Sequence, residues 1–176
     1  MNYLELTIDG IAQHWSSKKD LVTAVSSAYY ATEKCPTKSG IVGMMGAALG
    51  YPYCDERLTE LFESTDIRYR MTHKGIVAVD FQVARPLDGD AFETVGGKHK
   101  DDGVIKRVEY LQDYAFVVYV GADDKRLQEI YEAFQCPKWQ PYFGKKCCLP
   151  GKPIVREYKV VSKQELEDMK NVYDCP

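Results

Sequence analysis

At 176 residues and 45% hydrophobic content, the chain is long enough for one domain with a substantial core. Its net charge of −3 and pI near 5.7 exclude a uniformly basic nucleic-acid binder, so any contact with a polyanion has to be local. No apolar run approaches membrane-spanning length and no signal peptide precedes the first strand-like segment, so a cytoplasmic protein with reduced thiols is expected.

Taken in chain order, Tyr3 to Asp9 alternates polar and apolar residues and predicts a first strand ending at Gly10. Ile11 to Lys34 is a long connection carrying His14-Trp15 and Tyr29-Tyr30. It leads to the run from Pro36 to Gly50, where a proline, two hydroxyls and a lysine open a helix whose Ile41, Met44, Met45, Ala48 and Leu49 form one apolar stripe. Gly40, Gly43 and Gly46 step along a second face, each at a cost of about 0.5–1 kcal/mol relative to alanine, which suggests a steric requirement. A short acidic helix is predicted from Glu56 to Phe62.

Ile67–Met71 and Ile76–Phe81 read as a hairpin turning at His73-Lys74-Gly75. The polar, glycine-bearing stretch 85–106 is too long for an ordinary turn and predicts a functional excursion. Tyr114–Val120 is the next strand, followed by a helix capped at Asp123 or Asp124 and ended by Pro137. Pro153–Val161 is predicted as a last strand, before an acidic helix from Ser162. This order fits an α+β, ferredoxin-like βαββαβ domain covering 1–176, with an antiparallel sheet covered by two helices on one face and the other face open to a ligand.

Two stretches carry chemistry. The helix start at Thr37-Lys38-Ser39 joins capping hydroxyls, a cation and the helix dipole, which suits an anion, although a capped core helix reads equally well. It is not a P-loop, because lysine and hydroxyl precede the glycines. The loop Pro141–Pro153 combines Tyr142, Phe143, Gly144, Lys145 and Lys146, and aromatic faces beside lysines are how single strands are held. This loop lies within a locally basic segment: Lys138 to Lys159 holds six basic residues against Glu157 alone. The six cysteines show no C-x-x-C zinc pattern, so neither a metal nor another cofactor is expected.

His14-Trp15, the Pro36–Gly50 run, Arg107-Val108-Glu109-Tyr110-Leu111, Asp113, Ala133, Pro137 and Tyr142-Phe143-Gly144-Lys145-Lys146 with Cys148 occur in one order. That order, running from Tyr3 to about Tyr158, resembles the fifth Cas subunit family of CRISPR systems, in particular the type I-E Cascade branch called CasD. The resemblance implies a non-enzymatic, RAMP-like subunit that grips the repeat-derived 5′ handle of the crRNA. Its partners would be the Cascade backbone subunits, the large subunit and, through the assembled complex, target DNA. The stretch 85–106 would be a thumb hairpin. Thr37, Lys38, Ser39, Lys145 and Lys146 become handle-phosphate contacts, and Arg107 and Tyr110 a phosphate partner and a stacking ring. Tyr110 and Trp15 also read as core residues, and Arg107 as a salt-bridge partner of Glu109.

Relatives in type I-C systems cleave precursor RNA without metal, which needs a base for the 2′-hydroxyl and an acid or cation for the leaving oxygen. Lys98 and His99 are the candidates for those roles, with Tyr29, Tyr30 or Tyr51 approaching them.

Overall fold

The computed structural model describes residues 1–16, 29–84, 92–93, 99–100 and 104–176. In chain order its elements are β1 (Asn2–Asp9), β2 (Ala12–Gln13), β3 (Tyr29–Tyr30), α1 (Lys38–Leu49), α2 (Glu56–Ser64), β4 (Asp66–His73), β5 (Ile76–Ala84), β6 (Phe92–Glu93), β7 (His99–Lys100), β8 (Val104–Gln112), β9 (Ala115–Ala122), α3 (Asp124–Gln135), β10 (Val160–Ser162), α4 (Lys163–Asp168) and β11 (Tyr173–Asp174).

The main sheet is antiparallel in the order β10-β1-β9-β4-β11. Its first four strands have the order of a ferredoxin-like βαββαβ unit, with α1 and α2 in the first crossover and α3 in the second, and β11 adds a fifth strand beside β4. The alternation read in the first strand sends Leu4, Leu6 and Ile8 to the helical face, opposite Val120, Val118 and Phe116 of β9. There they join Ile41, Met44 and Met45 of α1 and Leu127 and Ile130 of α3. On the other face Tyr3, Tyr119 and Val161 pack under Leu166 of α4, so that face is partly covered.

Caps were expected from the hydroxyls that open the Pro36 run and from Asp123 or Asp124, and Thr37 and Asp123 take those roles. Thr37, Asp55, Asp123 and Ser162 each accept a main-chain N–H of the first turn, and Ser162 forms a capping box with Glu165.

Two expectations are corrected. First, β4 and β5 do not pair with each other. β4 pairs with β9 and β5 with β8, so 66–84 and 104–122 are the two sides of one long ribbon. The ribbon bends where the register slips between Met71 and His73, where a side chain at Gly75 would meet the Gln112 carbonyl at 1.8 Å, and where Asp113 adopts φ +58°. Second, only Val160–Ser162 of the predicted last strand joins the ladder. Thr7 N–H bonds Ile154 O and Glu5 N–H bonds Lys159 O, so four residues bulge out between these two tethers.

The expected thumb falls mostly outside the described residues, as does Lys98. Within it, β6 pairs with β7 in the register Phe92 to Lys100.

Candidate nucleic-acid interface

β8 collects the site. One edge pairs with β5, and the other pairs antiparallel with β2 at Leu111–Gln112 and parallel with β3 at Arg107–Val108. Alternation along β8 puts Lys106, Val108 and Tyr110 on one face and Arg107, Glu109 and Leu111 on the other. Because Tyr30 lies opposite Val108, its ring shares the Lys106 face. The Lys106 ammonium stands 5.7 Å from the centroid of that ring.

The late loop brings a second cation to the same ring. His14 N–H donates to Phe143 O at 3.0 Å, Phe143 N–H to Cys148 O at 2.8 Å and Cys148 N–H to Lys145 O at 2.8 Å, which closes residues 143–148 into a fixed turn. Gly144 sits at φ +84°, and a Cβ there would lie 1.6 Å from the His14 carbonyl oxygen, so only glycine lets the loop press on β2. Lys145 Nζ then reaches 5.5 Å from the Tyr30 centroid. Two ammonium groups over the ring of one half-buried tyrosine make a basic, aromatic patch. Lys146, next along the loop, is exposed.

The floor beneath the patch is neutral. Tyr110 is only 9% exposed, edge-on to the His14 ring at 5.9 Å, with its hydroxyl 3.8 Å from Cys147 Sγ. Burial, reinforced by that contact, pushes its pKa up to about 12. Burial likewise pushes the Cys148 thiol up to about 12. Tyr110 is therefore packed into the core, and its faces are not open to a base. Trp15, wholly buried against Phe143, is a core residue too, its indole N–H donating to Gln13 Oε1 at 3.1 Å.

Arg107 lies on the opposite face of the ribbon, its guanidinium 5.4 Å from the Phe81 centroid. Glu109 accepts from the Tyr29 hydroxyl, which holds the phenol above its ordinary pKa, and from Thr32 N–H at 3.1 Å. Tyr29 and Tyr30 thus point to opposite faces, one structural and one toward the lysines.

At the start of α1 the chain's own groups fill much of the anion-binding geometry. Thr37 Oγ1 accepts Gly40 N–H at 3.2 Å, Lys38 N–H donates to Pro176 O at 2.9 Å, and the Lys38 ammonium stands 4.5 Å from the Phe62 centroid. Ser39 remains exposed and faces a groove of about 360 Å³ between α1 and the loop, which Gly43, Tyr51, Trp139, Tyr142 and Gly144 also line. The structure therefore brings Ser39 and the Lys145 loop to the two sides of one groove. Sequence names Tyr30 only as a ring approaching Lys98 and His99, and does not single out Lys106; their meeting comes from the long-range pairing of the two-residue β3 with β8.

A ferredoxin-like sheet extended by a bent ribbon and a lysine-bearing glycine loop makes this an α+β protein of ferredoxin-like fold. Residues 4–175 match the family described as CRISPR-associated protein (Cas_Cas5), and the chain belongs to that family. No curated protein matches in a sequence search. Among solved structures, one from a CRISPR RNA-guided surveillance complex is similar over 92% of this chain and 64% of its own, with TM-score 0.76 and 24% identity. A crystal structure of a Cas protein is similar over 88% and 62%, with TM-score 0.61 and 23% identity. A type III-B Cmr-beta complex bound to cognate target RNA contains a chain similar over 91% and 60%, with TM-score 0.51 and 11% identity. The chain thus spans somewhat under two thirds of the length of these structures. Among the described residues no helix is long and apolar enough to cross a membrane.

Proposed function

We propose that this chain is a non-catalytic subunit of a type I-E CRISPR Cascade, working in the cytoplasm, where it holds the repeat-derived 5′ handle of the crRNA as a single strand. The observation that carries the reading is the Tyr30 ring with both the Lys106 and Lys145 ammonium groups gathered over it. A tyrosine face stacks on any base while paired lysines neutralise the phosphates on either side, which gives affinity without demanding a particular sequence. Lys146 extends the cationic edge and Ser39 faces the loop from α1, while Arg107 serves the other ribbon face.

In this reading the sheet caps the Cascade backbone beside the large subunit, target DNA is met only through the assembled complex, and the stretch 85–106 acts as the thumb. Family membership and the likeness to a surveillance-complex fold support the general role.

The assay for the non-catalytic assignment incubates purified protein with repeat RNA in the absence of metal. Stable binding without product is expected. Cleavage that disappears in His99→Ala would overturn it and make the chain a precursor-processing endoribonuclease.

A further inference from the structure

Side chains of neighbouring residues in an extended chain point to opposite sides, so adjacent cysteines ordinarily keep their sulfurs apart. Cys147 and Cys148 do not. The Lys145 carbonyl accepts Cys148 N–H at 2.8 Å, which closes a four-residue turn with Lys146 and Cys147 at its centre, and the two Sγ atoms come to 4.0 Å from each other. Both thiols are free.

The two sulfurs are unequal in access. Cys147 is exposed, so an oxidant in solution reaches it, whereas Cys148 is 1% exposed and belongs to the core. Burial keeps the Cys148 thiol protonated and inert towards solvent, but Cys147 Sγ is its immediate neighbour. The Tyr110 hydroxyl, 3.8 Å from Cys147 Sγ, is a third polar group at the pair and keeps its own proton at neutral pH.

A bond between these sulfurs joins residues whose Cα atoms are about 3.8 Å apart, short of the usual range of about 4.4–6.8 Å, so the closed ring is strained and easily reduced. Strained and exposed disulfides are the labile, regulatory kind, and where thiols are kept reduced a disulfide is usually transient. The open pair is therefore the resting state and the ring a reversible one.

Ring closure acts on the turn that carries Lys145. The sulfurs have to move from 4.0 Å to about 2.0 Å, which rotates the main chain at Cys147-Cys148. Cys148 N–H holds the Lys145 carbonyl and Cys148 O holds Phe143 N–H, so that rotation pulls on both tethers. Lys145, at 5.5 Å from the Tyr30 centroid, moves with them.

We infer that Cys147 and Cys148 form a peroxide-responsive dithiol whose closure to a vicinal disulfide draws Lys145 away from Tyr30 and weakens the hold on a single strand. The effect on binding rests on the single-strand reading above, while the sulfur chemistry stands without it. In the first step the Cys147 sulfur attacks hydrogen peroxide, the O–O bond breaks, and one oxygen stays on sulfur as a sulfenic acid while the other leaves as water. The Cys148 sulfur then attacks that of Cys147, the S–O bond breaks, and the hydroxyl departs with the Cys148 proton as a second water. Two thiols lose two electrons and one peroxide gains them.

The test uses the full chain, hydrogen peroxide and single-stranded repeat RNA. Peroxide is expected to make the tryptic peptide 147–156 lighter by two hydrogen atoms, and dithiothreitol to restore it. Cys148→Ser, which lacks the second sulfur, leaves a sulfenic acid at Cys147 that dimedone traps. The oxidised wild type binds RNA at least ten-fold more weakly than the reduced protein, and Cys147→Ser binds equally before and after peroxide. Cys54 and Cys136 are exposed in both proteins, so the comparison isolates the pair.

A peptide of unchanged mass, or one in which Cys147 passes to sulfinic acid without joining Cys148, would overturn the dithiol. A disulfide that forms and leaves RNA affinity as it was would overturn its control of the loop. Absence of RNA binding by the reduced protein would overturn the single-strand reading, with the peptide mass still deciding the sulfur chemistry.

Discussion

Lys145 reaches Tyr30 because the residue before it can adopt a backbone that side chains resist. With φ at +84° and the His14 carbonyl where a Cβ would project, Gly144 admits no replacement without moving the loop. Gly144→Ala is expected to destabilise the fold, with about 1–3 kcal/mol from the left-handed backbone alone and more from the clash, read by chemical denaturation. Tyr30 carries the stacking role in this account and Tyr110 does not. Tyr30→Ala should therefore cost RNA affinity equivalent to about 1–3 kcal/mol by fluorescence anisotropy, while Tyr110→Phe leaves RNA affinity at the wild-type level.

At the scale of elements, the 143–148 loop is seated on a neutral buried layer formed by Tyr110 and Cys148. Both groups are acids whose proton is held more tightly in the folded chain, Cys148 at about 12 against 9.0 and Tyr110 at about 12 against 10.0. Their contribution is therefore fully present below the unfolded values and is lost as pH rises through the folded ones. The thermal midpoint should fall between roughly pH 9 and 12, and Tyr110→Phe with Cys148→Ala should make that fall shallower. A midpoint whose pH dependence is identical in the double variant would contradict the neutral layer.

The same scale shows what sequence could and could not reveal. Caps at Thr37 and Asp123 were legible because each is a local hydrogen bond between neighbours in the chain. The β4–β5 junction was misread because His73-Lys74-Gly75 is as suitable for a bend in a paired ribbon as for a hairpin turn. Lys145 and Lys146 were legible from local composition. Tyr30 and Lys106 needed a parallel pairing between distant segments, for which two residues of strand leave no periodic signature. The burial of Tyr110 also depends on a distant element, the Cys147 turn that covers it.

For the whole molecule, a chain of net charge −3 holds a polyanion only if its cations are gathered. The fold does this by bending one ribbon and laying the late loop along β8, so that Lys106 and Lys145 meet at one ring while Arg107 faces away. The grouping makes the salt dependence of binding a direct count of contacts at the patch. Each phosphate contact on a single strand contributes about 0.7 to the slope of log affinity against log salt. The decisive measurement is that slope for single-stranded repeat RNA in the wild type and in the Lys106→Ala, Lys145→Ala double variant. The account predicts that binding weakens with salt and that the double variant lowers the slope by about 1.4. A slope unchanged by the double variant, or binding indifferent to salt, would contradict it.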